Sequence, residues 1–130
     1  MSAFDIAQFP VHLGLGATVV REPAFNGMEW YAGYGQRHAA DGFEGRLVSV
    51  HSYDKSWQGW EMHPNGAELV VCTAGKITLL QEIAGQVQSV TLTAGQAAIN
   101  PPGVWHTADV HEPCTGLFIT SGVGTQHRPR

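Results

Sequence analysis

Apolar and polar residues alternate in short runs along most of this chain, and turn residues interrupt the runs every eight to twelve positions. The clearest run is residues 46–53, where Val48 and Val50 share one face and Leu47 and His51 share the other. The period of an amphipathic helix is almost absent. Alternation with regularly spaced turns predicts an all-β sandwich or barrel.

The same pattern gives the bounds of the predicted elements. Strands are predicted at residues 17–22, 28–34, 46–53, 60–63, 68–73, 76–83, 86–92, 96–100, 105–110 and 115–121. Residues 5–11 form at most one helical turn before Pro10, and residues 36–45 form a loop. Residues 122–130 form an extended tail, which either packs across a partner subunit or frays.

Composition excludes several classes of protein. The chain has 130 residues, enough for one domain with its own core, and no run of apolar residues long enough to span a membrane. A net charge of −4 argues against a nucleic-acid partner. The first residues lack a signal-peptide pattern, so a cytoplasmic location is expected. Cys72 and Cys114 are expected to be free thiols.

Three side chains suggest a metal site. His63 precedes the turn Pro64-Asn65-Gly66, and Glu68 opens the following strand, so both side chains can lie side by side. His106 follows the rigid turn Pro101-Pro102-Gly103. Two imidazoles and a carboxylate suit Fe(II), Mn, Ni or Zn better than Ca or Mg, which prefer oxygen ligands. The cofactor prediction is therefore a divalent transition metal of undefined identity.

The spacing of these residues resembles the two motifs of the cupins. The second cupin motif is a Gly, five residues, Pro, one residue, Gly, two residues and His, and it is matched from Gly95 to His106. Its final Asn is replaced by Val110. In the first motif, the interval from Glu68 to Gly75 matches. The resemblance covers about residues 46–121 and implies one domain, residues 1–130, with a cupin-type jelly-roll β-barrel, an N-terminal extension and an extended C-terminal tail.

The first motif departs from the family pattern at one ligand position. With His63 as its second His, Glu61 stands where the first His belongs, and Lys55 replaces the opening Gly. The resemblance implies metal ligands at His63, Glu68 and His106. Glu61 is either a fourth ligand or a free carboxylate that serves as the catalytic general base.

Residues beside these ligands are candidates for the lining of a pocket. His51, Tyr53, Trp60, Cys72 and Trp105 are candidate pocket residues, although a structural His explains His51 at least as well and a buried core residue is the leading interpretation of Cys72. His12, His38 and His111 have no partner in the pattern and are predicted to lie on the surface.

Two functions are compatible with these features. The first is a metal-dependent enzyme with oxygenase-like or isomerase-like chemistry on a small organic substrate. The second is a non-catalytic module that binds or senses a small molecule, with an altered or empty metal site, and the Glu61 substitution is its main support. A vestigial site in a structural dimer is a weaker third reading. A homodimer is expected, since pairing between subunits would cover exposed sheet edges.

Overall fold

A computed structural model describes all 130 residues as two antiparallel sheets with one short helix. The strands are β1 Val11–Gly14, β2 Thr18–Arg21, β3 Arg46–Tyr53, β4 Gly59–Met62, β5 Glu68–Ala74, β6 Lys76–Ile83, β7 Gln86–Thr93, β8 Ala97–Asn100, β9 Trp105–Asp109, β10 Cys114–Thr120 and β11 Gln126–Pro129. The helix, α1, is Trp30–Arg37, and single 3₁₀ turns lie at Leu15–Ala17 and Ala39–Asp41. None of the helices is long and apolar enough to span a bilayer.

Six strands form one sheet in the order β2-β1-β3-β10-β5-β8, and five form the other in the order β11-β4-β9-β6-β7. The core lies between the sheets, because its members come from both of them. The buried cluster consists of Val70, Cys72, Ile77, Leu79, Leu92, Ala108, Val110, Cys114 and Phe118. These two face-to-face sheets form the predicted jelly roll and confirm the all-β fold class.

The predicted turns also lie where expected. Gly75, Gly85 and Gly95 all have positive φ at the predicted turns between strands. Gly75 is the most constrained, since a Cβ there would lie 2.1 Å from the carbonyl oxygen of Pro113. A side chain at this position would therefore have to displace the backbone.

The strand predicted at residues 28–34 is wrong, because this segment enters the helix α1. Aromatic residues favour strands on propensity, but here they pack along one helix face. The rings of Trp30 and Tyr34 stack with centroids 5.4 Å apart, and the guanidinium of Arg37 lies over Trp30. The Trp30 indole N–H donates to the carbonyl of Pro23 at 3.0 Å. These contacts outweigh the local preference.

Candidate metal centre

Four side chains meet between the two sheets, at one end of the barrel. Glu61 and His106 are cross-strand partners on β4 and β9, so both side chains point to the same face. His63 follows β4 by one residue, and Glu68 begins β5 in the opposite sheet. One ligand atom from each of these four residues lies within 4.8 Å of all the others. The structure thus brings together the four predicted ligands.

Strand register fixes the carboxylate of Glu68. Its cross-strand partners are Thr120 on β10 and Asn100 on β8. Thr120 Oγ1 donates to Glu68 Oε2 at 2.6 Å, and Asn100 Nδ2 donates to Oε1 at 3.0 Å. Gln81 donates in turn to Asn100 Oδ1 at 2.7 Å. A chain of amides therefore holds this buried carboxylate in one orientation, and sequence spacing gave no sign of these supporting residues.

The two imidazoles share an unusual feature at their Nε2 atoms. Nδ1 of His106 donates to the carbonyl of Val104 at 3.2 Å, and Nδ1 of His63 lies 2.8 Å from Thr125 Oγ1. Both Nε2 atoms are buried and have no hydrogen-bond partner of acceptable geometry. They nevertheless lie 3.2 and 3.4 Å from oxygens of Glu68. Buried polar atoms without partners are rare and destabilising, so these two require an explanation.

The electrostatics of the centre favour a positive charge. Burial lowers the pKa of His63, but contact with Glu68 and the charge of Glu61 outweigh this effect and raise it overall. Burial raises the pKa of Glu68, but His63, His106 and the hydroxyl of Thr120 outweigh it, and the net pKa is lowered. The carboxylate therefore stays ionised at neutral pH and attracts a proton or a cation toward the imidazoles.

Glu61 forms the more open side of the cluster, and its side chain is 25% exposed. Its Oε1 lies 3.6 Å from His106 Nε2, whereas its Oε2 lies 3.4 Å from Nε2 of His127 on β11. Glu61 can therefore offer one oxygen to the centre while the other faces His127. His127 was not predicted, because the tail was not expected to pair with β4.

The charge of Glu61 also acts on two tyrosines and a histidine outside the cluster. Burial raises the pKa of Tyr31 and of Tyr53, and the charges of Glu61 and Glu68 raise both further. Burial lowers the pKa of His51, an effect that Glu61 opposes. His51 and Tyr53 thus lie close enough to Glu61 for its charge to affect their pKa values, and their assignment as pocket residues stays a prediction. Tyr31 was missed because α1 was not predicted.

Three other predicted pocket residues lie elsewhere. Trp60 and Trp105 each precede an inward-facing residue of a strand, so alternation turns them to the outer face of the sheet. The guanidinium of Arg128 lies there, 5.3 Å from the Trp60 ring centroid and 4.5 Å from that of Trp105. Cys72 is fully buried in the apolar core, and its thiol faces the backbone carbonyls of Ala74 and Gly75. The pocket assignments of Trp60 and Trp105 are corrected accordingly, and Cys72 is the core residue that its leading interpretation expected.

A second cluster of histidines and carboxylates lies near the N-terminus. His12 is 2% exposed, with Nδ1 2.7 Å from the Tyr34 hydroxyl and Nε2 2.6 Å from Asp41 Oδ2. His38 stacks on His12 with centroids 3.6 Å apart and contacts buried Glu22 at 2.9 Å. The prediction that His12 and His38 lie on the surface is therefore wrong, whereas His111 is exposed as predicted.

The two clusters differ in whether the histidine ring nitrogens have hydrogen-bond partners within the protein. Both ring nitrogens of His12 have protein partners, and the parallel rings of His12 and His38 cannot both place one ion in their planes. In the metal-centre cluster, both Nε2 atoms lack partners. The N-terminal cluster is therefore a structural network that ties α1 to β1.

We predict that His12→Leu lowers the free energy of unfolding by about 2–3 kcal/mol, because it removes two buried hydrogen bonds and a stacked ring. Urea denaturation measures this change. The control is His111→Leu, an exposed position at which a change within about 0.5 kcal/mol is expected. Equal stabilities of the two variants would contradict the structural role of His12.

The donor set of the metal centre fits a divalent transition metal. Imidazole nitrogens suit Fe, Mn, Ni or Zn, and two carboxylates balance the charge of a divalent ion. The ligand set is harder than one of three histidines and a carboxylate, because Glu61 replaces an imidazole. Such an ion would occupy the space that both Nε2 atoms face, and it would give each of these atoms a partner.

Comparison with known proteins identifies the fold. No protein-family model and no curated protein matches this sequence. Among solved structures, oxalate decarboxylase from Bacillus subtilis aligns with 73% of this chain at 15% identity and a TM-score of 0.57. A hydroquinone 1,2-dioxygenase aligns with 58% at 13% identity and a TM-score of 0.50. A cupin-2 domain-containing protein from Shewanella frigidimarina aligns with 65% at 24% identity and a TM-score of 0.47.

The alignments cover only part of the known proteins. The matched region spans 26% of the oxalate decarboxylase chain and 56% of the dioxygenase chain. At such identities the likeness concerns the fold. Two face-to-face antiparallel sheets and the superposition on oxalate decarboxylase together show that this chain has a cupin-type jelly-roll fold.

Proposed function

We propose that this protein binds one divalent transition metal through His63, His106 and Glu68, with Glu61 as a fourth ligand or as a free general base, and acts with it on a small organic molecule. The observation that carries the proposal is the pair of buried Nε2 atoms without partners, both facing the carboxylate of Glu68. Where both imidazoles are neutral and protonated at Nδ1, their Nε2 lone pairs face an anion. A cation between them converts this repulsion into three attractive contacts.

Proteins of the same fold supply a parallel for the metal. The superposed oxalate decarboxylase has Mn(II) centres, and the superposed dioxygenase was crystallised with Cd²⁺ and 4-hydroxybenzonitrile. In this chain the metal would act as a Lewis acid on an oxygen of the bound molecule. Because two carboxylates offset its charge, the ion would be a weaker Lewis acid than one held by three histidines.

The protein side chains would position the substrate and move protons. Glu61 is the most exposed of the four residues, and as a free carboxylate it would accept a proton at the centre. Tyr31, His51 and Tyr53 would offer polar contacts on the same side. The indole N–H of Trp57 is buried without an acceptor, and its ring lies 6.4 Å from that of His106. A small molecule with an oxygen acceptor would satisfy this donor.

A binding or sensing role is the second candidate. The Glu61 substitution favours it, because a harder ligand set weakens the activation of a bound molecule. If the protein only binds or senses a small molecule, Glu61→Gln would leave ligand binding intact, and neither the wild type nor the variant would show turnover. Under the enzymatic reading Glu61→Gln would lower turnover at unchanged metal content. The homodimer and the cytoplasmic location stay predictions.

The test of metal binding is a metal-content assay and a competition titration. Protein purified without added metal is stripped with a chelator and titrated with Mn²⁺, Fe²⁺, Ni²⁺ and Zn²⁺ in turn. We expect about one equivalent of at least one ion to bind, with the chelator competing for it. A chain that stays empty with all four ions would refute the proposal.

The pH dependence of stability gives a further prediction. In the chelator-treated protein, His63 has a pKa above its ordinary 6.5, so its contribution is complete below 6.5 and is lost as pH rises through the raised value. Glu68 has a pKa below its ordinary 4.5, so its contribution is present above 4.5 and is lost as pH falls through the lowered value. The pair therefore stabilises the metal-free fold most between these two ordinary values.

Bound metal should oppose the loss of stability that the metal-free protein shows as pH rises through the pKa of His63. A proton on His63 competes with the ion, so metal affinity rises with pH through the raised pKa of His63. Urea unfolding at a series of pH values, with and without the metal, measures both trends. The stabilisation by metal should grow as pH rises through the raised pKa of His63, and a stabilisation that is independent of pH would contradict His63 as a ligand.

A further inference from the structure

We infer that the C-terminal segment, residues 122–130, belongs to the metal centre, with Thr125 as the residue that sets the ring tautomer of His63. This inference rests on the proposed metal binding, since it concerns which nitrogen of His63 is free for the ion. It gives a function to a segment that the sequence predicts as an extended tail.

The hydrogen bonds of Thr125 have only one consistent direction. Its Oγ1 donates to the carbonyl of Gly122 at 2.8 Å and lies 2.8 Å from His63 Nδ1. A hydroxyl has a single proton, and a carbonyl can only accept, so the hydroxyl presents a lone pair to the ring. Both hydrogen bonds of the hydroxyl form together only when Nδ1 of His63 carries the proton, and Nε2 of the neutral ring then keeps the lone pair that a metal needs.

The position of Thr125 is itself well defined. The Thr125 amide closes a turn onto the carbonyl of Gly122 at 3.2 Å, and Asn65 Nδ2 donates to the carbonyl of Val123 at 2.9 Å. Gly66 lets this turn approach, because a Cβ at Gly66 would lie 2.5 Å from the Cβ of Ser121. The turn is thus held against the loop that directly follows His63.

The strand after the turn fixes the segment further. In β11, Gln126 pairs with Met62 and His127 pairs with Glu61, so the segment runs antiparallel to the strand that leads to the centre. Arg128 packs on the outer aromatic face and pairs with Glu82, and Arg130 Nη2 lies 2.6 Å from Asp109 Oδ1. Thr125 is therefore held from both sides and does not depend on its own contact with His63.

The two histidines of the centre depend on very different partners. His106 donates to a carbonyl two residues away, whereas His63 relies on a hydroxyl 62 positions away. Loss of the Thr125 hydroxyl should therefore affect His63 and leave His106 unchanged. A general defect in folding would affect both.

The test uses the full chain with Thr125→Val, Thr125→Ser and the control Thr115→Val. Thr115 is a suitable control because its hydroxyl pairs with Ser52 at 2.8 Å, away from the centre. We expect Thr125→Val to weaken metal binding by about 10–100-fold, as is usual for the loss of a partner that orients a ligand. Thr125→Ser should restore affinity, and Thr115→Val should bind as the wild type does. Mn²⁺ or Zn²⁺ in competition with a chelator is the probe.

A second measurement reads the tautomer directly. Imidazole ¹⁵N shifts of the chelator-treated protein, recorded where the rings are neutral, should show a protonated Nδ1 for His63 in the wild type and in Thr125→Ser. In Thr125→Val, His63 should become a mixture of tautomers while His106 keeps its own. A wild-type His63 protonated at Nε2 would overturn the inference, as would unchanged metal affinity in Thr125→Val.

The two measurements separate this inference from the proposed function. A wild-type chain that binds no metal would refute metal binding, while the ¹⁵N shifts would still decide the role of Thr125. Stoichiometric metal in the wild type together with an unchanged tautomer in Thr125→Val would refute the role of Thr125 alone.

Discussion

His106→Ala is expected to abolish stoichiometric metal binding. His106 is 1% exposed, and its Nε2 lies 3.4 Å from Glu68 Oε1 and 3.6 Å from Glu61 Oε1, with no hydrogen-bond partner of its own. The substitution removes the imidazole nitrogen that would donate its lone pair to the ion. The loss of affinity should exceed the about 10–100-fold that follows from the loss of an orienting residue.

Metal content after dialysis and competition titration measure this effect. The control is His111→Ala, which removes an exposed imidazole. Near-ultraviolet circular dichroism of both metal-free variants shows whether the fold is kept. Wild-type affinity in a folded His106→Ala variant would exclude His106 as a ligand.

Glu68→Ala is expected to produce the largest loss of stability in the metal-free protein. The carboxylate is 3% exposed and accepts hydrogen bonds from Thr120 and Asn100, and it faces both imidazoles. Its removal leaves buried donors without an acceptor and opens a cavity. We expect the free energy of unfolding to fall by about 3–5 kcal/mol, the usual cost of breaking a buried pair.

Urea denaturation near pH 6 is the appropriate measurement, because the contributions of Glu68 and His63 are both complete between their ordinary pKa values of 4.5 and 6.5. The control is Glu112→Ala, whose exposed pair with Lys76 at 3.9 Å should contribute at most about 1 kcal/mol. The loss in Glu68→Ala should shrink at alkaline pH. Equal losses in the two variants would show that the buried Glu68 carboxylate stabilises the fold no more than an exposed carboxylate does.

Much of the barrel could be predicted because it depends on local patterns. Alternation and the turn glycines located strands such as residues 46–53 and 76–83, since both signals lie within a few positions of the strands they mark. The motif from Gly95 to His106 works in the same way. Its turn and its ligand are so close in sequence that spacing nearly fixes their geometry.

The supporting residues could not be predicted, because their contacts depend on register between distant strands. Thr120 and Asn100 reach Glu68 only because β10 and β8 flank β5 in this register. Thr125 reaches His63 only because the tail pairs with β4. His12 was misplaced for a related reason, since its partners Tyr34 and Asp41 lie 22 and 29 positions away.

The errors at Trp60 and Trp105 have a simpler physical cause. Residues next to a ligand in sequence point to the opposite face of a strand. Because Trp60 and Trp105 directly precede Glu61 and His106, both rings lie on the face of the sheet opposite the centre. The stack on Arg128 instead attaches the C-terminal strand to the outer face of the barrel.

Anomalous diffraction from crystals grown with the ion that binds best tests the metal centre most directly. We predict one strong peak between the two sheets, about 2.0–2.3 Å from Nε2 of His63, Nε2 of His106 and an oxygen of Glu68. The distance from the peak to Glu61 Oε1 would show whether this carboxylate is a ligand or a free base. No peak at this position, or a peak in the cluster of His12, His38 and Asp41, would contradict the proposed centre.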